Sequence, residues 1–114
     1  MGHLIDRKDW AADPDRWRGE WQGAAYRAGV SVIFVSEQEL GAGPKLHRHP
    51  YAETFMVRLG RALFTIGDDE IQAHEGQMLV VPANTPHKFS NLGPGLLETI
   101  DIHANDRFVT EWLE

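Results

Sequence analysis

The chain has 114 residues, 42% hydrophobic and 25% charged, with a formal net charge of −6 and no cysteine. That length gives one domain with one core; the missing cysteine excludes disulfides, thiolate metal sites and thiol nucleophiles; and the negative field disfavours nucleic acid as a partner. No apolar run spans a bilayer and the N-terminus, MGHLIDRKDW, lacks the charged-then-apolar order of a signal peptide, so a cytoplasmic protein with no membrane partner is expected.

Residues 1–24 differ from the rest. They hold Trp10, Trp17 and Trp21, broken by Asp13-Pro14 and Gly19. Asp13 as an N-cap followed by Pro14 predicts a short helix that Gly19 limits to a turn or two. Three tryptophans in so short a segment predict that it packs on the body of the protein or across a dimer. We therefore divide the chain into an N-terminal tryptophan-rich segment, 1–24, and a main domain, 25–114.

From Val30 the chain becomes a series of short runs with strand character, punctuated by Gly, Pro, Asn and Asp. In order these are VSVIFVSE, KLHRH, ETFMVRL, RALFTI, EIQAH, QMLVVP, HKFSNL and LLETIDIH. Their near-regular spacing, without long amphipathic helical patterns between them, predicts an all-β sandwich or barrel and argues against a parallel βαβ sheet.

The histidines carry the chemistry. His47 and His49 stand two apart, so a strand aims both imidazoles to one face. Glu53 has the same parity, but along one unbroken strand it would lie about 20 Å from His47, at roughly 3.3 Å per residue. Metal bonds are only about 2 Å long. Glu53 joins the histidines only if the chain folds back, and Pro50, which cannot donate a ladder hydrogen bond, marks where. His87 follows Pro86 and opens a later strand, giving a fourth potential ligand. Imidazole plus carboxylate suits iron, manganese, nickel, copper or zinc.

Two stretches resemble a known family. Gly41 to Gly60, GAGPKLHRHPYAETFMVRLG, resembles the first cupin motif: a glycine, five residues, H-x-H, three residues, Glu, six residues, Gly. Gly76 to Asn91, GQMLVVPANTPHKFSN, resembles the second, in which a glycine, five residues and a proline precede the histidine and, four residues after it, an asparagine. The short spacer, Arg61 to Glu75, is like that of small single-domain cupins of the cupin 2 type. The resemblance implies a single jelly-roll β-barrel in which His47, His49, Glu53 and His87 bind one divalent metal. One position departs from the pattern: Asn84 stands where glycine is usual, and asparagine tolerates the left-handed backbone that such a turn requires.

Other residues are placed by parity. Phe55 and Val57 share a face with Glu53, and Phe89 with His87; they are expected to fill the barrel and to shape an apolar pocket over the metal. Tyr51 lies in the turn between ligands, at the pocket mouth. In LETIDIH, Ile100 and Ile102 are expected inside, which leaves His103 outside; the reversed register would make His103 an acid/base beside the metal. His74 is expected in solvent and His3 at a loose terminus. These features predict a metalloenzyme acting on a small oxygenated compound, or a sensory protein using the same pocket without turnover. A homodimer is expected because sheet edges need cover.

Overall fold

A computed structural model describes residues 2–114. Ten strands follow a helix of one turn, α1 (Arg7–Trp10): β1 (Gly19–Gln22), β2 (Ser31–Glu37), β3 (His47–Arg48), β4 (Glu53–Leu59), β5 (Arg61–Ile66), β6 (Asp69–His74), β7 (Met78–Val81), β8 (His87–Asn91), β9 (Leu97–His103) and β10 (Glu111–Trp112). Eight of these, β2 to β9, fall on the eight runs expected from the sequence. They form two five-stranded antiparallel sheets, in the orders β1-β2-β9-β4-β7 and β10-β3-β8-β5-β6. The chain is a single jelly-roll barrel with a short N-terminal segment, as expected. Among the described residues no helix is long and apolar enough to cross a membrane.

Alternation fixes what lies inside. On β4, Glu53, Phe55 and Val57 are buried, and on β8, His87, Phe89 and Asn91. Phe55, Phe64 and Phe89 pack edge-on or tilted, with centroids 5.0 to 5.6 Å apart, in the core cluster. The polar residues gather at one end. Gly60, between β4 and β5, adopts φ 82°, and a Cβ there would lie 2.3 Å from the Leu96 carbonyl oxygen, so a side chain is barred by both backbone and space.

The structure corrects two expectations. No helix begins at Asp13. The Asp13 side chain instead accepts the Asp15 N–H at 2.9 Å, a local turn, and the helical turn sits earlier, where the Asp6 N–H donates to the Asp9 carboxylate. Gly19 then opens β1, which pairs with β2 from Gly19↔Phe34 to Gln22↔Ser31. The second correction is the face of β9. Leu97, Thr99, Asp101 and His103 are the buried set, whereas Ile100 and Ile102 are half-buried on the outer face. His103 therefore points inward. The reason is that this outer face is not open to water. Ile100 lies beside Phe34, on which Trp10 stacks at 3.7 Å and Trp17 packs edge-on at 5.2 Å. Apolar residues are thus required on both faces, and hydrophobicity alone cannot tell inside from outside.

The N-terminal segment is pinned by more than stacking. Trp17 Nε1–H donates to the Thr99 carbonyl at 3.2 Å, and the Arg58 guanidinium lies 3.5 Å above the Trp17 ring. Phe34→Ala should consequently lower stability by about 2 kcal/mol, from lost burial and aromatic contact, and shift tryptophan emission to longer wavelength. An unchanged melting temperature and emission spectrum would show that the segment does not rest on Phe34.

Candidate metal centre

Four local features assemble the site. β3 presents His47 inward, and His49 follows one residue after the strand ends. Pro50 stops the ladder, residues 50–52 turn the chain, and Glu53 begins β4 in the opposite sheet. This is the fold-back that the spacing demanded. His87 opens β8 directly opposite His47. The two turns are tied together, because the Asn84 N–H donates to the His49 carbonyl at 2.7 Å. Asn84 adopts φ 63°, the left-handed conformation expected of it.

His47, His49, Glu53 and His87 are all buried, and their potential ligand atoms lie within 4.8 Å of one another. Hydrogen bonds set the imidazole tautomers. Nδ1 of His47 faces the Lys45 carbonyl at 2.7 Å, Nδ1 of His49 the Val109 carbonyl at 2.9 Å, and Nδ1 of His87 the Thr85 carbonyl at 2.8 Å. A carbonyl can only accept, so each Nδ1 carries the proton and each neutral ring turns a bare Nε2 lone pair inward. Nε2 of His49 and of His87 each stand 3.0 Å from Glu53 Oε1. Lone pairs cannot face a carboxylate oxygen at that distance unless a proton or a metal ion lies between. His49 Nε2 and His103 Nε2 are both buried with no aligned hydrogen-bond partner. Adjacent donors around a six-coordinate ion with bonds of roughly 2.1 Å are about 3 Å apart. The residues present therefore suit a metal ion.

His103 has different partners. Tyr51 Oη accepts the Val109 N–H at 3.2 Å and lies 2.7 Å from His103 Nδ1. The phenol hydrogen goes to that Nδ1, because the neighbouring His49 Nδ1 donates elsewhere. In the neutral ring this leaves the His103 proton on Nε2, 3.1 Å from Glu53 Oε2. His103 is thus a proton-bearing group beside the donor set. Burial pushes the Tyr51 phenol up, keeping it protonated. Burial likewise opposes ionisation of Glu53, but the imidazoles around it, His103 foremost with His49 and His87, outweigh burial and hold the carboxylate below its ordinary range. Burial and the charge of Glu53 push Asp101 well up, against a 2.7 Å hydrogen bond from the Thr99 hydroxyl.

A cavity of about 440 Å³ opens from the donors between the two sheets. Phe55 and Phe89 line it, as does His103; Val57 lies in the core cluster instead, and Tyr51 stands behind His103. Several lining residues escaped the sequence reading, among them Asp101, Phe108 and Trp112. Asp101 shares the parity of His103, and that pairing could have revealed it. Phe108 packs edge-on to His103 at 5.0 Å and Trp112 tilts against His47 at 4.9 Å, both from a C-terminal stretch without a recognisable strand pattern. His74 is exposed and bonds only near its own turn. His3 is exposed and packs on Tyr26.

Comparison with known proteins places this architecture. An uncharacterized protein of Methanocaldococcus jannaschii is 31% identical over 55 residues, which are 47% of this chain and 44% of that one. The chain thus matches less than half the length of that relative. Among solved structures, oxalate decarboxylase of Bacillus subtilis at pH 4.6 superposes with a TM-score of 0.74 at 21% identity. The same enzyme, studied for its Mn(II) centres, gives 0.75 at 21%. Both matches cover 83% of this chain and only 27% of the enzyme, a likeness of fold. The family model described as Cupin domain matches residues 26–103, from Tyr26 to His103, and the chain accordingly belongs to the cupin superfamily, in its small cupin 2 branch.

Proposed function

We propose that the protein is a metalloenzyme that holds one divalent transition metal through His47, His49, Glu53 and His87 and acts on a small oxygenated compound. The observation that carries this reading is the convergence of three Nε2 atoms and one carboxylate on the inner end of a cavity, with His103 alongside. Mn is the first choice of metal, since the superposed Bacillus enzyme has been studied for its Mn(II) centres; the donor set also suits Fe, Ni, Zn and Cu. A bound ion would supply Lewis acidity, or oxygen activation if iron or copper. The chain supplies the rest. Lys45, Val109 and Thr85 carbonyls hold the three rings in the ligating tautomer. Phe55 and Phe89 keep the inner cavity partly dry, which strengthens every charge interaction in it. His103, oriented by Tyr51, can give a proton at Nε2 and recover it there.

Protein purified without added metal should contain one transition-metal ion per chain by elemental analysis, and His49→Ala should weaken binding on the order of 100-fold or more. Protein that takes up no metal, or takes it up equally well without His49, would end this reading. The pH dependence follows from His47. Burial lowers it below the ordinary 6.5, an effect only partly offset by its hydrogen bond to Lys45. The unfolded chain therefore takes up the proton first as pH falls. Stability contributed by the neutral ring is present above about 6.5 and is lost as pH falls below it. Metal affinity declines over the same window, because ligation needs the bare nitrogen. A melting temperature and metal affinity that stay flat across this range would contradict the assignment.

The rival reading is a sensory protein that binds the same ligand without turnover. Native protein, His49→Ala and His103→Gln should be compared on a panel of small hydroxy and carbonyl compounds. The enzyme reading expects turnover that His49→Ala abolishes and that His103→Gln lowers about 100-fold with metal content retained. Tight binding with every compound returned unchanged would favour the sensor.

We also propose a homodimer formed through the outer face of β4 and β7. Met56 pairs with Met78 there, β7 is a sheet edge, and Met78 and Val80 are 60% and 61% exposed. Val80→Glu should convert a dimer to monomer in light scattering, whereas a native protein that is already monomeric would rule the interface out.

A further inference from the structure

We infer that the metal cavity selects an apolar ligand bearing no negative charge beyond its metal-binding head, and that Glu20 and Glu37 impose this selection. The inference rests on the metal-dependent reading above and names the ligand class for the same site.

The residues lining the cavity include no lysine and no arginine. They include three carboxyl groups besides Glu53: Glu20, Glu37 and Asp101. The strand register shows how these are set out. Glu20 on β1 is opposite Ile33 on β2, Ile33 is opposite Asp101 on β9, and Asp101 is opposite Phe55 on β4. This row therefore runs from the sheet edge at Glu20 to the ring beside the donors. Glu37 lies on the same inner face of β2, four residues from Ile33, roughly 13 Å along the strand at about 3.3 Å per residue. The acidic groups are thus spread along one wall and do not form a cage around one point.

Neither Glu20 nor Glu37 has an ion-pair partner among the described residues. Arg18 lines the adjoining groove together with both, but pairs with neither and does not line the metal cavity. A divalent ion brings two positive charges. Glu53 offsets one, and ionised Glu20 and Glu37 more than offset the other. Buried Asp101 adds a polar group without contributing a cation. A ligand whose body carries a carboxylate would meet like charge along this wall, in a partly dry cavity with nothing to pair it. The chain's net charge of −6 also slows the approach of an anion. What the wall does offer is apolar surface, from Ile33, Val35, Phe108 and Trp112.

Ligands sharing one chelating head separate the charge effect from metal affinity. Methylcatechol, the same catechol with a carboxylate in place of the methyl group, and the same catechol with an aminoethyl group would be titrated calorimetrically into Mn-loaded and metal-free protein. The expected result is metal-dependent binding in which the methyl and aminoethyl compounds bind at least ten-fold more tightly than the carboxylate. Raising the salt concentration should narrow this gap. The Glu20→Gln, Glu37→Gln double variant, with metal content measured in parallel, should remove most of it. Equal or tighter binding of the carboxylate compound to the native protein would overturn the inference while leaving the metal site in place. Binding that is absent for all three compounds, or is unchanged without metal, would overturn both the inference and the metal-dependent reading. Should the double variant fail to fold, the salt series on native protein decides alone, and a gap insensitive to salt counts against the inference.

Discussion

The carboxylate of Glu53 is 3% exposed, and nitrogen atoms of three imidazoles stand 3.0 to 3.1 Å from its oxygens. A buried charge of this kind is tolerated only when it is matched, because the cost of removing it from water is several kcal/mol even after relaxation. His49 and His87 cannot match it as neutral rings, since their only protons point away to backbone carbonyls. The polar end of the barrel is therefore built around the need for a cation. Its strand positions, its proline-marked turns and its tautomers all follow from keeping four donors pointed at one place.

Backbone groups do most of that positioning. Each ligating ring is held through Nδ1 by a carbonyl of a neighbouring turn or strand end, and the Asn84 N–H on the His49 carbonyl locks one motif to the other. Carbonyls are insensitive to side-chain substitution, so the ligating geometry is buffered against change elsewhere on the surface. His103 is the exception, being oriented by a side chain, Tyr51, whose own hydroxyl is fixed by Val109. The proton-bearing group is thus held by a different kind of contact from the ligands. One C-terminal residue, Val109, serves both: its carbonyl orients His49 and its N–H orients Tyr51.

The N-terminal tryptophans act on the opposite side of the same sheet. Trp10 and Trp17 cover Phe34, and Trp17 reaches the β9 backbone at Thr99, whose side chain faces inward to Asp101. The segment also supplies β1, and with it Glu20 on the cavity wall. A stretch outside both motifs therefore contributes directly to the environment of the site.

Much of this was legible in the sequence. The H-x-H spacing, the parity of Glu53 and the two proline-bounded turns allowed four ligands to meet at one point, and the resemblance of both stretches to the cupin motifs made that the expectation. The eight central strands were likewise readable, since turn residues separate them cleanly. Asn84 could be expected in the left-handed conformation because it stands where the cupin motif usually has glycine and asparagine tolerates that backbone. The inward face of β9 could not be read. Ile100 and Ile102 alternate with Thr99, Asp101 and His103, and the apolar set would have been the interior one had the outer face met water. Only the tertiary structure, by laying Trp10 and Trp17 over that face, turned the polar set inward and brought His103 and Asp101 to the site. Tertiary packing also decided the parts of Phe108, Trp112 and Glu20, which come from distant ends of the chain. Local periodicity records which residues share a face, but which face is buried depends on what packs against it from elsewhere in the chain.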